Sequence, residues 1–186
     1  YDSHEFELGR NTNRSEAETK RVARWEKFLM KRCAFSIMVN DSIADEVQRI
    51  HGLEERPIVV RSTPEYWHVD ESVCKEVRKN FLAKFNLSDN EDDAFLIMYH
   101  GGVMPGRGID SVIELTALNP NVYAVILGNS MLGTEEKLKN LVNELNISHR
   151  VIFHPAVPLS ELWKHSGAVN LGLVLIKTVV KNHHYS

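Results

Sequence analysis

The sequence predicts an α/β protein built on parallel sheets and divided into two halves. Three observations predict it. Short apolar runs, long enough for buried strands, recur along the chain. Charged amphipathic segments of helical length alternate with them, which is the pattern of parallel strands covered by helices. A polar, acidic stretch from Asn86 to Asp93 interrupts the alternation and reads as a linker.

Each element has a local reason. From Ser15 to Ala34 the residues suit a long helix. Val22, Trp25, Phe28 and Leu29 fall at three- and four-residue steps and are expected to form its buried face. Ser15, with Glu18 three positions on, has the form of a capping box. Phe35 to Val39 reads as a buried strand. Asn40 or Asp41 then caps a helix from Ser42 to Ile50, and His51-Gly52 stops it. Pro57 to Val60 is a further strand, closed by Arg61-Ser62-Thr63-Pro64. Asp70 to Phe85 is a charged helix with Val73, Val77, Phe81 and Phe85 on its inner face. Beyond the linker, strands are expected over Ala94–Tyr99, Val122–Leu127, Val151–Phe153 and Ala168–Ile176. Helices are expected over Ile109–Leu118, Glu135–Leu145 and Leu159–Lys164. The architecture implied is two Rossmann-like domains, each missing strands.

Composition bounds the function. The 186 residues are 43% apolar and 25% charged, as in a globular protein. A net charge of -3 removes the strong basic field that nucleic acid would need, so no nucleic-acid partner is expected. No run approaches the roughly 20 apolar residues of a membrane span. Cys33 and Cys74 could form one disulfide or remain buried thiols. The nine histidines are scattered, and the adjacent His183 and His184 lack metal-ligand spacing on one helix face, so no metal is expected. Lys20, Arg21, Arg24, Lys27, Lys31 and Arg32 cluster on the first helix, either as a solvated face or as a membrane-facing one. The chain opens on Tyr1 without an initiator Met or a secretory signal. It stops just after an apolar run, so both ends are expected to lie inside a longer protein.

Ligands of open parallel sheets bind beyond the carboxyl ends of the strands. Three such loops matter here. The first is His100-Gly101-Gly102-Val103-Met104-Pro105-Gly106-Arg107-Gly108. Its glycines allow backbone amides to approach phosphate oxygens, the following helix points its positive end at them, and Arg107 supplies a planar cation. It lacks the Gly-Lys-Ser/Thr ending of a Walker loop and the Gly-x-Gly-x-x-Gly spacing of a dinucleotide fingerprint. It reads either as a phosphate cradle or as a strand-to-helix turn with a solvated arginine. Gly128-Asn129-Ser130 reads singly as a turn, and Arg150-Val151-Ile152-Phe153-His154-Pro155 as a core strand that Pro155 ends. Together the three loops fall at consecutive strand ends, as the walls of one cleft would.

From Phe95 onward the chain resembles the carboxyl domain of glycosyltransferase family 4, enzymes of the GT-B fold. The resemblance is carried by an ordered series. Gly101, Arg107-Gly108 and Ile109-Asp110 follow the first strand. Val125-Ile126-Leu127-Gly128, an amphipathic helix, Arg150-Val151-Ile152-Phe153, Val157-Pro158 and Glu161-Leu162 come next. Gly167-Ala168-Val169-Asn170-Leu171-Gly172 closes the series. Tyr1-Asp2-Ser3-His4-Glu5, Glu26, Val39-Asn40 and Val59-Val60-Arg61-Ser62 resemble the family's amino domain.

The resemblance implies a GT-B-like chain with residues 1–65 from the acceptor-side domain, a linker helix and acidic connection over 66–93, and the donor domain over 94–186. It implies a retaining glycosyltransferase that moves a sugar from a nucleotide-diphosphate donor to a glycan or lipid-linked acceptor hydroxyl in glycan biosynthesis. No cofactor is expected, because the nucleotide sugar is a substrate. The resemblance makes Arg107 and His4 the catalytic residues. Donor binding falls to Gly101, Gly102, Arg107, Gly108, Gly128, Asn129, Phe153, His154, Pro155 and Ala156, with the segment from Phe153 to Ala156 lining the base mainly through its backbone. The family often has Arg where Gly102 stands, and it carries two glutamates after the last strand, whereas Leu175 to Ser186 contains no Glu. The 186 residues alone are therefore expected to be inactive. A cytoplasmic location, with peripheral contact at the inner membrane face, follows from the acceptors of the family. The alternatives are a nucleotide-binding oxidoreductase and a non-catalytic sugar-nucleotide-binding module.

Overall fold

Side-chain caps set where the first helices begin. In the computed structural model, which describes residues 1–10, 13–87, 94–131 and 133–177, the Ser15 hydroxyl accepts from the Glu18 amide and the Glu18 carboxylate accepts from the Ser15 amide. This reciprocal box starts helix α1, Glu16–Met30. Asn40 rather than Asp41 caps the next helix, α2, Asp41–His51: Asn40 Oδ1 accepts from the Ile43 amide at 2.8 Å. Gly52 ends α2 in the left-handed conformation.

The residues form two units, Tyr1–Glu65 and Tyr66–Lys177. In the first, β1 (Asp2–Ser3), β2 (Ile37–Met38) and β3 (Ile58–Val59) make a parallel sheet in the order β1-β2-β3. These strands are shorter than the sequence predicts. Phe35, at the start of the expected strand, is 56% exposed. Phe6, Met30, Met38, Ile43, Ala44 and Val47 form the core.

One expectation fails here. Trp25, Phe28 and Leu29 lie outside the core, at 60%, 44% and 48% exposure, and the buried residues of α1 are Glu26 and Met30. The physical reason is a polar network. Tyr1 Oη donates to Glu26 Oε1 at 2.9 Å, and His51 Nε2 lies 2.8 Å from Glu26 Oε2. A buried carboxylate with both oxygens engaged is tolerated, and it turns the helix about its axis. Burial first, and then the Glu26 charge, push the Tyr1 phenol well above its ordinary value, so it stays a donor.

In the second unit, α3 (Glu71–Lys84) is capped by Asp70. It is followed by β4 (Phe95–His100), α4 (Ile109–Leu118), β5 (Val122–Leu127), α5 (Thr134–Glu144), β6 (Val151–His154), α6 (Leu159–Ser166) and β7 (Leu171–Gly172). All four strands are parallel, in the order β6-β5-β4-β7. Strand alternation sends Ile97, Tyr99, Ala124 and Ile126 to a core under α4 and α5. It sends Leu96, Met98, Val125 and Leu127 to a second core, under α3 and α6. The helix expected as a linker supplies Phe81, Leu82 and Phe85 to that second core, while Val73 on it is 36% exposed. Asn86 and Leu87 follow α3; the rest of the acidic stretch lies outside the described residues.

The expected strand over Ala168–Ile176 shrinks to Leu171–Gly172, which among the described residues pairs with Ile97 and Met98 at the edge of the sheet. Val174 is 71% exposed. The chain leaves the sheet after Leu173 and runs to the glycine loop, where the Lys177 amide donates to the Gly106 carbonyl at 2.9 Å. Residues 178–186, including His183 and His184, lie outside the described residues. Cys33 and Cys74 are both free thiols.

Candidate functional site

The ends of β4, β5 and β6 are stitched to one another by backbone bonds beyond the strands. The Gly101 amide donates to the Leu127 carbonyl at 3.0 Å, and the Gly128 amide to the His154 carbonyl at 2.9 Å. Val103 and Asn129 add a further rung at 3.0 Å, and Met131 returns to Val103 at 2.9 Å. The three loops named from the sequence therefore make one continuous ledge at the carboxyl edge of the sheet.

Two glycines are required by this stitching. A Cβ on Gly128 would sit 1.8 Å from the Gly101 carbonyl oxygen, and one on Gly108 would sit 2.0 Å from the Leu175 carbonyl oxygen. Gly108 also has φ of 70° and stands directly before α4 with no side-chain cap. Gly101 and Gly102 are exposed at the loop tip. The Tyr99 hydroxyl donates to the Gly102 carbonyl at 2.8 Å and so fixes the tip from below.

Arg107 is half-buried at the N-terminal end of α4, where the helix dipole favours anions. It makes no hydrogen bond or ion pair among the described residues. Its charge is felt at Tyr99, whose hydroxyl burial pushes up in pKa while Arg107 opposes the rise. Asp110, in the first turn of α4, is paired with Lys177, and that ammonium holds its carboxyl below the usual range. The local acid is thus neutralised by the chain segment that follows β7.

A cleft of about 230 Å³ opens on the ledge. It is lined by Gly128, Asn129, Phe153, His154 and Pro155 from the predicted set, with Val103, Ile126, Ser130 and Glu135 beside them. Ala156 is exposed next to it. Gly101, Gly102, Arg107 and Gly108 belong to the neighbouring loop and do not line the cleft. The His154 ring packs edge-on to Phe81, with centroids 6.0 Å apart, and stands 5.5 Å from the His165 ring. Burial holds its pKa below the ordinary 6.5, against the opposing pull of the Pro155 carbonyl, so it is neutral at neutral pH.

Several residues of the site were not singled out from the sequence. Glu135 pairs with Lys139 at 2.6 Å, and the Lys139 ammonium lies 5.5 Å from the centroid of Phe153. An acid and a base four apart at the start of a helix gave a signal, but one shared with any solvated face. Lys177 gave none, because its partner Asp110 is 67 residues away. His4 belongs to the first unit. It is largely exposed, with Nε2 3.7 Å from Asp2 Oδ2. Among the described residues no group of three or more His, Cys, Asp or Glu side chains could hold a metal ion.

Solved structures share this architecture. Alr3699/HepE from Anabaena, solved with UDP-glucose, is similar with a TM-score of 0.68 and 16% identity, over 92% of this chain and 45% of its own. Sucrose-phosphate synthase from Thermosynechococcus elongatus gives 0.68 and 16%, over 93% and 43%. A glycosyltransferase from Rickettsia africae gives 0.62 and 12%, over 89% and 43%. The chain thus spans less than half the length of each. No family model and no curated protein matches it. At such identities the likeness is one of fold: an α/β chain with Rossmann-like parallel sheets, as in the GT-B glycosyltransferases.

Proposed function

We propose that this chain carries the donor side of a glycosyltransferase that uses a nucleotide-diphosphate sugar. The observation that supports this most is Arg107: a half-buried cation without a protein partner among the described residues, held at the N-terminal end of α4 on the loop whose Val103 lines the cleft. A nucleoside in the cleft and a diphosphate at Arg107 would use both. Alr3699/HepE, of similar fold, was solved with UDP-glucose, which fits the same ligand class.

The chemistry follows from the leaving group. As the bond from the anomeric carbon to the diphosphate breaks, negative charge gathers on the phosphate oxygens. A fixed guanidinium and the helix-end amides interact more strongly with that charge than with the ground state, which is what lowers a barrier. Retention at the anomeric carbon and a glycan or lipid-linked acceptor belong to the same proposal, on the resemblance in sequence. So does a role for His4 at the donor sugar; the geometry of the second unit supports the reading without it.

The test is ligand-observed NMR of the chain against UDP, GDP, ADP and NAD, repeated with Arg107→Ala. One nucleoside diphosphate is expected to bind. The substitution is expected to weaken it about ten- to a hundredfold, as the loss of charge-assisted hydrogen bonds does. Preference for NAD would transfer the site to the oxidoreductase alternative. Equal binding by Arg107→Ala would remove Arg107 from the site.

A further inference from the structure

We propose that Lys177 is a positioning residue of the diphosphate site: it occupies the Asp110 carboxylate and so leaves the Arg107 guanidinium to an anionic ligand. The inference rests on the reading that a diphosphate lies at Arg107, and it adds to that site a residue from the segment after β7.

Its starting point is a conflict of charges at the start of α4. Arg107 stands just before the helix, and Asp110 lies in its first turn. The helix dipole favours a carboxylate there by the same force that would draw a phosphate. Left alone, that carboxylate would compete with the ligand for Arg107 and repel it. Among the described residues Asp110 pairs not with Arg107 but with Lys177, whose Nζ donates to Asp110 Oδ2. The pairing holds the Asp110 carboxyl below its usual range. The negative charge is therefore present at neutral pH and needs this counter-ion. Glu114, further along α4, also acts on the Lys177 charge.

The backbone, and not only a long side chain, brings Lys177 to this place. Beyond β7 the Leu173 amide donates to the Met98 carbonyl at 2.8 Å. The chain then crosses to the glycine loop, where the Leu175 carbonyl lies against Gly108. The Lys177 amide donates to the Gly106 carbonyl at 2.9 Å. Two backbone bonds and one close contact thus fix the segment on the loop that carries Arg107. None of them involves the Lys177 side chain, so replacing that side chain removes a charge and keeps the strap. The side chain is 48% exposed, and that of Asp110 41%, so the pair is open to an arriving ligand.

The charges then add simply. Arg107 and Lys177 against Asp110 leave the start of α4 positive. Without Lys177, Arg107 and Asp110 cancel. A residue that acts in this way is dispensable once Asp110 is uncharged, whereas a lysine in direct contact with phosphate is needed whatever stands at position 110. That difference makes the proposal testable by a double-mutant cycle.

Dissociation constants of UDP, GDP and ADP, and of the matching nucleosides, would be measured by ligand-observed NMR. Lys177→Met is expected to weaken the preferred nucleoside diphosphate about tenfold and to leave its nucleoside unchanged, with the difference shrinking as salt rises. Lys177→Arg should retain the parent's affinity. Lys177→Met with Asp110→Asn should return to within about twofold of the parent. Thermal unfolding of each variant would show that the second unit is intact. Unchanged diphosphate binding by Lys177→Met would overturn the proposal and leave the nucleotide reading standing. So would an equal loss for the nucleoside, which marks a purely structural role. A loss that persists with Asp110→Asn would also overturn it, because Lys177 would then touch the phosphate itself. A parent that binds the diphosphates no more tightly than the nucleosides would overturn both readings.

Discussion

Gly108 shows how a residue chosen for one reason can satisfy another. The sequence marks it as a glycine that lets a phosphate approach the backbone. In the structure the closest neighbour of its missing Cβ is the Leu175 carbonyl oxygen, at 2.0 Å, and its φ is 70°. Backbone packing and backbone conformation both demand glycine here before any ligand is considered. Gly108→Ala would add a left-handed non-glycine residue and force the segment after β7 away from the loop. The left-handed conformation alone costs about 1–3 kcal/mol. Urea denaturation should show a loss of at least about 2 kcal/mol. A variant as stable as the parent would mean that the Leu175 segment does not sit on the loop in solution. Gly102, by contrast, has open space where a Cβ would go, so the four glycines of this loop are not equivalent. Their spacing alone could not separate packing from binding, because both need a missing side chain.

At the scale of elements, Arg150 makes a similar point with the opposite sign. In the sequence it opens the Arg-Val-Ile-Phe run that supports the family resemblance. In the structure it is 9% exposed and its Nη1 donates to the carbonyls of Thr116, Asn119 and Val122, at 2.6, 2.7 and 3.4 Å. It closes the C-terminal end of α4, where carbonyls lack partners and a cation is favoured by the helix dipole, and ties it to the start of β5. Arg150→Met keeps much of the stem but leaves these carbonyls without their donor. The expected loss is about 3 kcal/mol, the cost of two or more hydrogen bonds to a charged group. Hydrogen exchange should localise the loss to the amides around the α4–β5 turn, and exchange unchanged there would remove the capping role. The first helices themselves were legible: a cap at Ser15 and one at Asn40 or Asp41 gave their starts, because capping is local chemistry. The rotation of α1 was not. It depends on Tyr1 and His51, each 25 residues from Glu26 in sequence, and a periodicity that counts only apolar residues assigns a glutamate to the outside.

At the scale of the whole molecule, alternation carried the fold class because a parallel sheet covered on both faces leaves a double signature. Leu96 to Tyr99 and Ala124 to Leu127 are buried without a gap, and successive residues enter opposite cores. The order β6-β5-β4-β7 follows from pairings between segments far apart in the chain, which no local pattern encodes. The ledge at the candidate site was legible as three strand ends, while its stitching and the Lys177–Asp110 pair were not, for the same reason. The cores also set what a global stability measurement will report. Met38 is fully buried in the first unit's core, and Ile113 is fully buried between α4 and the second unit's sheet. Truncating either to Ala leaves a cavity and should cost about 2–5 kcal/mol. Each unit closes its own core with its own residues, so native-state hydrogen exchange should assign each loss to one set of amides. Met38→Ala should speed exchange in β2 and α2 and leave β4 and β5 protected, and Ile113→Ala should do the reverse. If either substitution lowered protection equally in both sets, the two cores would unfold as one cooperative unit. A single denaturation midpoint would then be a sound measure for every variant proposed above.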